Sequence, residues 1–135
     1  SFLKNAGKDL ILVGPGEASD IECAKALADS DGCIRRLVDK RALRPDELSQ
    51  FSFVGEAIGI IRMSDHNRQE LTSTCEQFFA DERNLILNWE HLFNVHLENV
   101  PMYWHEEPSS NWIEIDTPED YREALTKFEG NHSHP

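Results

Sequence analysis

Residues 53–63, Phe-Val-Gly-Glu-Ala-Ile-Gly-Ile-Ile-Arg-Met, form the longest apolar run of the chain. Ile58, Ile60 and Ile61 make it β-rich, because β-branched side chains pack well on a pleated surface. Gly55 and Gly59 interrupt it, and glycine inside a strand marks a bulge or a close approach of backbone or ligand. Such a strand needs neighbours, and the sequence offers several. Residues 9–13 form a short apolar run stopped by Gly14-Pro15-Gly16, the pattern of a buried strand ending in a turn. Residues 21–28 and 33–38 flank Asp29-Ser30-Asp31-Gly32 and read as a hairpin. Residues 102–107 and 111–116 read as two later strands.

Helices fall between them. Pro45 opens a short turn over residues 44–50. Ser64 caps a helix whose Leu71, Cys75, Phe78 and Phe79 recur at helical spacing. A second helix over residues 86–97 is expected to bury Ile86, Trp89, Phe93 and Leu97. A last one over residues 117–128 is expected to bury Tyr121, Leu125 and Phe128. Strands and helices interleave without a repeat or linker, so the fold class is α/β, a mixed sheet flanked by helices. Residues 1–128 read as one domain, of ordinary size. Residues 129–135 read as a flexible tail, whose two histidines are not a metal cluster.

Charge narrows the partners. The chain carries 25 acidic and 13 basic residues, a net charge of −12. Nucleic-acid binding rests on Lys and Arg neutralising phosphates, so neither nucleic acid nor an anionic membrane is an expected partner. An acidic protein that handles phosphates needs a divalent metal between the like charges. Cys23, Cys33 and Cys75 are odd in number and show no Cys-x-x-Cys spacing, which fits a reducing, cytoplasmic setting. The first residue is Ser1 and the first Met is Met63; the chain therefore reads as processed or as part of something longer.

Residues 112–120, Trp-Ile-Glu-Ile-Asp-Thr-Pro-Glu-Asp, hold the strongest candidate site. If residues 111–116 are a strand, Ile113 and Ile115 share one face, and Trp112, Glu114 and Asp116 the other. Thr117 caps the next helix, Pro118 follows at its first position, and Asp120 stands where a capping box has its acid. Asp116 then lies at the end of a strand just before a helix, where α/β sheets bind ligands. Two readings stay open on pattern alone. One is a solvated face with an ordinary helix cap. The other is an Mg²⁺ corner, since Mg²⁺ takes one or two carboxylates and fills its shell with phosphate and water.

The segment Trp112-Ile113-Glu114-Ile115-Asp116-Thr117-Pro118-Glu119-Asp120-Tyr121 resembles the terminal motif of sugar-phosphate and phosphocholine/phosphonate-type nucleotidyltransferases. Gly55-Glu56-Ala57-Ile58-Gly59-Ile60 resembles the strand lining their acceptor-phosphate pocket. Residues 21–34, with Lys25 and Asp31-Gly32, resemble the hairpin before it. The blocks stand in family order and cover residues 9–125. The resemblance implies the C-terminal portion of a Rossmann-like nucleotidyltransferase fold. It assigns Asp116 and Glu114 to Mg²⁺, and Glu56, Gly59, Trp112 and Lys25 to substrate. It implies transfer of a nucleotidyl group from a nucleoside triphosphate to a small phosphate or phosphonate acceptor, with release of pyrophosphate.

The family's opening Gly-rich loop and its mid-domain Asp have no counterpart here. Low activity is therefore expected of this chain alone, with a homodimer or a complementing N-terminal half as partner. A non-catalytic interaction module and a phosphate loop at Gly14 to Ser19 are the rival readings. His91, His96 and His105 read as core or surface histidines rather than as metal ligands.

Overall fold

The computed structural model describes residues 7–129, and residue 129 by its backbone alone; the tail residues 130–135 lie outside it. The elements are β1 (Leu10–Gly14), β2 (Lys25–Ala28), β3 (Ile34–Val38), α1 (Pro45–Gln50), β4 (Ser52–Arg62), α2 (Asp65–Phe79), α3 (Trp89–Leu97), β5 (Tyr103–Glu106) and α4 (Pro118–Glu129). The five strands form one mixed sheet in the order β3-β2-β4-β1-β5. Only β1 and β5 pair in parallel; the other three pairings are antiparallel. No helix among the described residues is long and apolar enough to cross a membrane.

Side-chain alternation splits the core into two layers. On β2, Ala26 and Ala28 join Ile11, Val13, Phe93 and Leu97 on one face of the sheet. Leu27 points the other way, to Val38, Leu43 and Phe53. β1 is buried on both faces, which explains its unbroken apolar run. Each fully buried Leu or Ile there contributes roughly 1.5–3 kcal/mol.

Two departures from regular pairing shape β4. Between Ile11↔Ile61 and Val13↔Ala57, β1 advances two residues while β4 advances four. The extra pair bulges out around Gly59, whose φ of +75° explains the glycine. A second shift lies at Gly55, between Ala26↔Gly55 and Leu27↔Phe53. Its φ is +133°, and a Cβ there would strike the Gly14 carbonyl oxygen.

The outer strand β3 is blunted by side chains. Asn94 of α3 accepts from Leu37 N (2.7 Å) and donates to Leu37 O (2.9 Å), mimicking another strand. Ile34 N donates to Met102 O at 2.8 Å. Since Met102 leads into β5, the sheet curls until its two edges touch there.

Several expectations need correction. The helix over residues 86–97 begins only at Trp89, because Asn88 is extended (φ −76°, ψ 165°). Ile86 sits instead at the end of a 3₁₀ turn and is 88% exposed. Phe79 is exposed as well, leaving the α2 stripe half-buried. Residues 111–116 do not join the sheet. Period-2 alternation predicts an extended chain; it cannot supply a neighbouring strand. Ile115 is accordingly exposed, and so are Tyr121 and Leu125 of α4. Of the described α4 residues only Ala124 is buried. The hairpin is also shorter than read, with β2 starting at Lys25.

Glu47 ties the β3–α1 connection together. It is 2% exposed, takes Arg41 Nη2 at 2.6 Å and Nη1 at 2.9 Å, and accepts from Arg44 N at 2.9 Å. The Arg41 bonds chiefly hold its carboxyl down at about 2, against an ordinary 4.5. A depressed acid contributes stability above its unfolded value and loses it as pH falls through the folded one. Unfolding followed by circular dichroism should therefore show stability falling from pH 4.5 to about 2. Glu47→Gln should flatten that slope and cost about 1.5–3 kcal/mol at neutral pH.

Candidate functional site

A cleft of about 690 Å³ opens beside β4 and gathers residues from five parts of the chain. Glu56, Ala57 and Gly59 come from β4. Asp20 and Cys23 come from the segment leading into β2. Asp39 and Lys40 follow β3, and Trp89 and Glu90 begin α3. Trp112, Ile113, Glu114 and Asp116 close it from the C-terminal side. Glu56, Gly59, Trp112, Glu114 and Asp116, all singled out from the sequence, thus border one space.

The register fixes Glu56. It lies opposite Lys25 on β2 and opposite Gly14 on β1. Burial raises its carboxyl above the ordinary range, and repulsion from Glu114 and Asp20 adds to this; Lys25 acts against it. Lys25 is itself fully buried and does not border the cleft. Its Nζ donates to Cys23 O at 2.9 Å. Its effect on the cleft is a charge beneath the floor, and a direct substrate contact would need the floor to move.

Trp112 is docked rather than standing in a strand. Its indole lies so close over Gly14 that a Cβ at Gly14 would overlap the ring. Its Nε1 donates to Glu107 O at 3.2 Å, and Lys127 Nζ donates to its carbonyl at 2.9 Å. The expected cap is present four residues on. Asp120 Oδ2 accepts from Asp116 N (3.1 Å), Thr117 N (2.8 Å) and Thr117 Oγ1 (2.8 Å), and Asp120 N donates back to Thr117 Oγ1. Asp120, held below its ordinary range chiefly by the Thr117 hydroxyl, is thus committed to the cap. Among the described residues, the Glu114 and Asp116 carboxylates take no hydrogen bond or ion pair, and both residues are exposed.

Among the described residues, seven carboxylates border the cleft, from Asp20, Glu22, Asp39, Glu56, Glu90, Glu114 and Asp116, against one cation, Lys40. Their oxygens are the right donors for Mg²⁺. Among the described residues no three acidic, His or Cys groups converge enough to hold an ion alone. The donor set therefore fits an ion that keeps water or phosphate ligands, not an all-protein cage.

Sequence reasoning missed the α3 side of the cleft. Lys40 has a φ of +31°, a strained conformation for a residue with a side chain. Asn88 is an N-cap residue type, yet it caps nothing; its Nδ2 donates to Asp39 Oδ2 at 2.6 Å instead. Asp39-Lys40 at the end of an apolar run was the available signal. The histidines lie elsewhere: His96 is buried, its Nε2 2.5 Å from Asn67 Oδ1, and His105 stands 3.6 Å from Glu107. The glycines of Gly14-Pro15-Gly16 are packed against the Trp112 ring and the Glu56 stem, so neither offers an open backbone cradle.

No protein-family model matches the sequence, and no curated protein matches it.

The Gly14 contact is directly testable. Gly14→Ala should lever Trp112 off β1, lower stability by about 1–3 kcal/mol and change the tryptophan emission. Trp112→Ala in the same background should absorb most of that cost. A Gly14→Ala protein with wild-type emission and midpoint would show that the indole does not rest there.

Proposed function

We propose that this chain is the acceptor-binding half of a nucleotidyltransferase, the C-terminal portion of a Rossmann-like fold of that kind. The observation that carries the reading is the meeting of separate sequence blocks at one cleft. Glu56 and Gly59 from the β4 block, and Trp112, Glu114 and Asp116 from the C-terminal block, stand far apart in sequence and border the same space.

In this reading Asp116 and Glu114 hold Mg²⁺ together with substrate phosphates. A Mg²⁺ ion held there would supply charge neutralisation for the displacement of pyrophosphate from the nucleoside triphosphate by the acceptor oxygen. Trp112, locked on Gly14, forms a rigid wall for the acceptor. Glu56, whose carboxyl is held above the ordinary range by burial, borders the acceptor's phosphate or phosphonate. Lys25 lends a positive charge from below. The strong acidity of the cleft is consistent with a metal-borne phosphate and poorly suited to a bare one. The nucleotide-binding half is supplied by another polypeptide segment, so this chain alone turns over slowly. The free thiols accord with a reducing, cytoplasmic setting.

A non-catalytic interaction module is the second reading. The exposure of Ile115, Tyr121 and Leu125 favours it.

Titration of Mn²⁺ with CTP or UTP, read by paramagnetic relaxation, separates the two. The enzyme reading expects binding by the wild type and a tenfold or greater loss in Asp116→Asn. Equal binding by both proteins would remove the metal assignment and leave the module.

A further inference from the structure

The helix α2 runs for 15 residues, of which only Asn67 is buried. Asn67 is 1% exposed, and so is His96 of α3, whose Nε2 lies 2.5 Å from Asn67 Oδ1. The first turn of α2 is also tied toward the sheet. Asp9, just ahead of β1, accepts from Ser64 N and Ser64 Oγ, and Ser64 Oγ accepts from Asn67 N at 3.2 Å. Hydrogen bonds thus run from the start of β1 through the α2 cap to α3, and His96 closes the chain. Beyond that turn α2 offers the core a half-buried stripe, with Leu71 against it. The elements it packs on are chiefly α3 and the 3₁₀ turn of residues 82–86.

The contact is built for a neutral imidazole. Asn67 Oδ1 can only accept, so the His96 proton sits on Nε2 and Nδ1 is bare. Neither His96 Nδ1 nor Asn67 Nδ2 has a partner among the described residues, though both are buried. Turning the Asn67 amide over exchanges the roles and still leaves the imidazole one hydrogen bond. An imidazolium carries two N–H donors and finds at most one acceptor there. It also puts a full charge where water does not reach, which is costly. Two carboxylates bear on the ring, Glu70 on α2 and Asp9 ahead of β1, and both favour the charged form. Burial outweighs them and pulls His96 below its ordinary 6.5. Phe93, one turn earlier on α3, meets the ring edge-on and supplies no acceptor.

A histidine freed from this contact regains its ordinary affinity for protons, so protons favour the undocked helix. Docking is fully favoured above pH 6.5. It weakens as pH falls from there toward the lowered folded value, by about tenfold per pH unit within that window.

We propose that the His96–Asn67 contact is a pH-operated latch: neutral His96 holds α2 on α3, and mildly acidic pH releases α2 while the sheet stays folded. The latch goes beyond the acceptor-half reading and does not depend on it.

Amide hydrogen exchange of the whole chain at pH 7.5 and pH 5.0, corrected for the intrinsic rates, tests this. Protection over residues 68–79 should fall about tenfold at the lower pH, while β1 and β2 keep theirs. His96→Gln has an amide nitrogen to donate to Asn67 and does not titrate, so its α2 should be equally protected at both pH values. Asn67→Asp sets a carboxylate against the ring and should hold α2 at pH 5.0. The His96 ring resonances of the wild type should titrate below 6.5. Unchanged α2 protection in the wild type, a loss that persists in His96→Gln, or a loss shared equally by β1 and β2 would each overturn the latch. So would His96 titrating at or above 6.5. Should His96→Gln not fold, a loss undiminished in Asn67→Asp overturns it in the same way.

Discussion

The cleft depends on the approach of Gly55 on β4 to Gly14 on β1, which is so close that a Cβ on Gly55 would strike the Gly14 carbonyl oxygen. β4 is hydrogen-bonded to β2 on one side and β1 on the other. Gly55 lets the β4 backbone pass against the Gly14 carbonyl where any side chain would collide. The next residue, Glu56, then lands opposite both Lys25 and Gly14. Gly14 in turn accepts the Trp112 indole. One backbone contact thus sets the floor of the cleft, and one aromatic contact brings the Glu114–Asp116 segment over it. A one-residue slip in β4 would send Glu56 to the opposite face of the sheet.

Electrostatics determine what such a cleft can hold. Seven carboxylates facing one space repel each other unless protons, metal ions or ligand cations intervene. Two ends of the cleft respond differently. At the Asp116 corner the carboxylates are exposed and stay hydrated, which costs little and suits an ion that brings its own water. At the α3 wall Asp39 Oδ1 and Glu90 Oε2 are buried without a hydrogen-bond partner among the described residues, which is costly.

Much of the architecture was legible because local chemistry and tertiary burial agreed. The apolar run of β1, the glycine-punctuated β4, the Asp29 to Gly32 turn and the Ser64 cap each follow from short-range rules, and each appears where those rules put it. Errors arose where pattern and packing part company. Residues 111–116 alternate like a strand, yet hydrogen bonding requires a neighbour, and none among the described residues lies beside them. Ile86 sits at helical spacing from Phe93, yet the extended Asn88 uncouples them. Glu56, Gly59, Trp112, Glu114 and Asp116 could be picked out by motif. Asp39, Lys40 and Glu90 match no motif, and beyond the Asp39-Lys40 pair closing an apolar run their meaning lies in unmet hydrogen bonds and a backbone angle.

By itself the sequence determined the mixed α/β class, the approximate positions of the strands and helices, the acidic character, and the Thr117–Asp120 cap, since all depend on residues within a few positions of one another. Only the tertiary structure decided that Lys25 lies under the cleft rather than in it, that Trp112 rests on Gly14, and that the α3 end faces the Asp116 corner. These depend on strand register and on the bulges in β4, where one residue of slip exchanges the buried and open faces. Such long-range pairings are settled by the packing of the whole sheet.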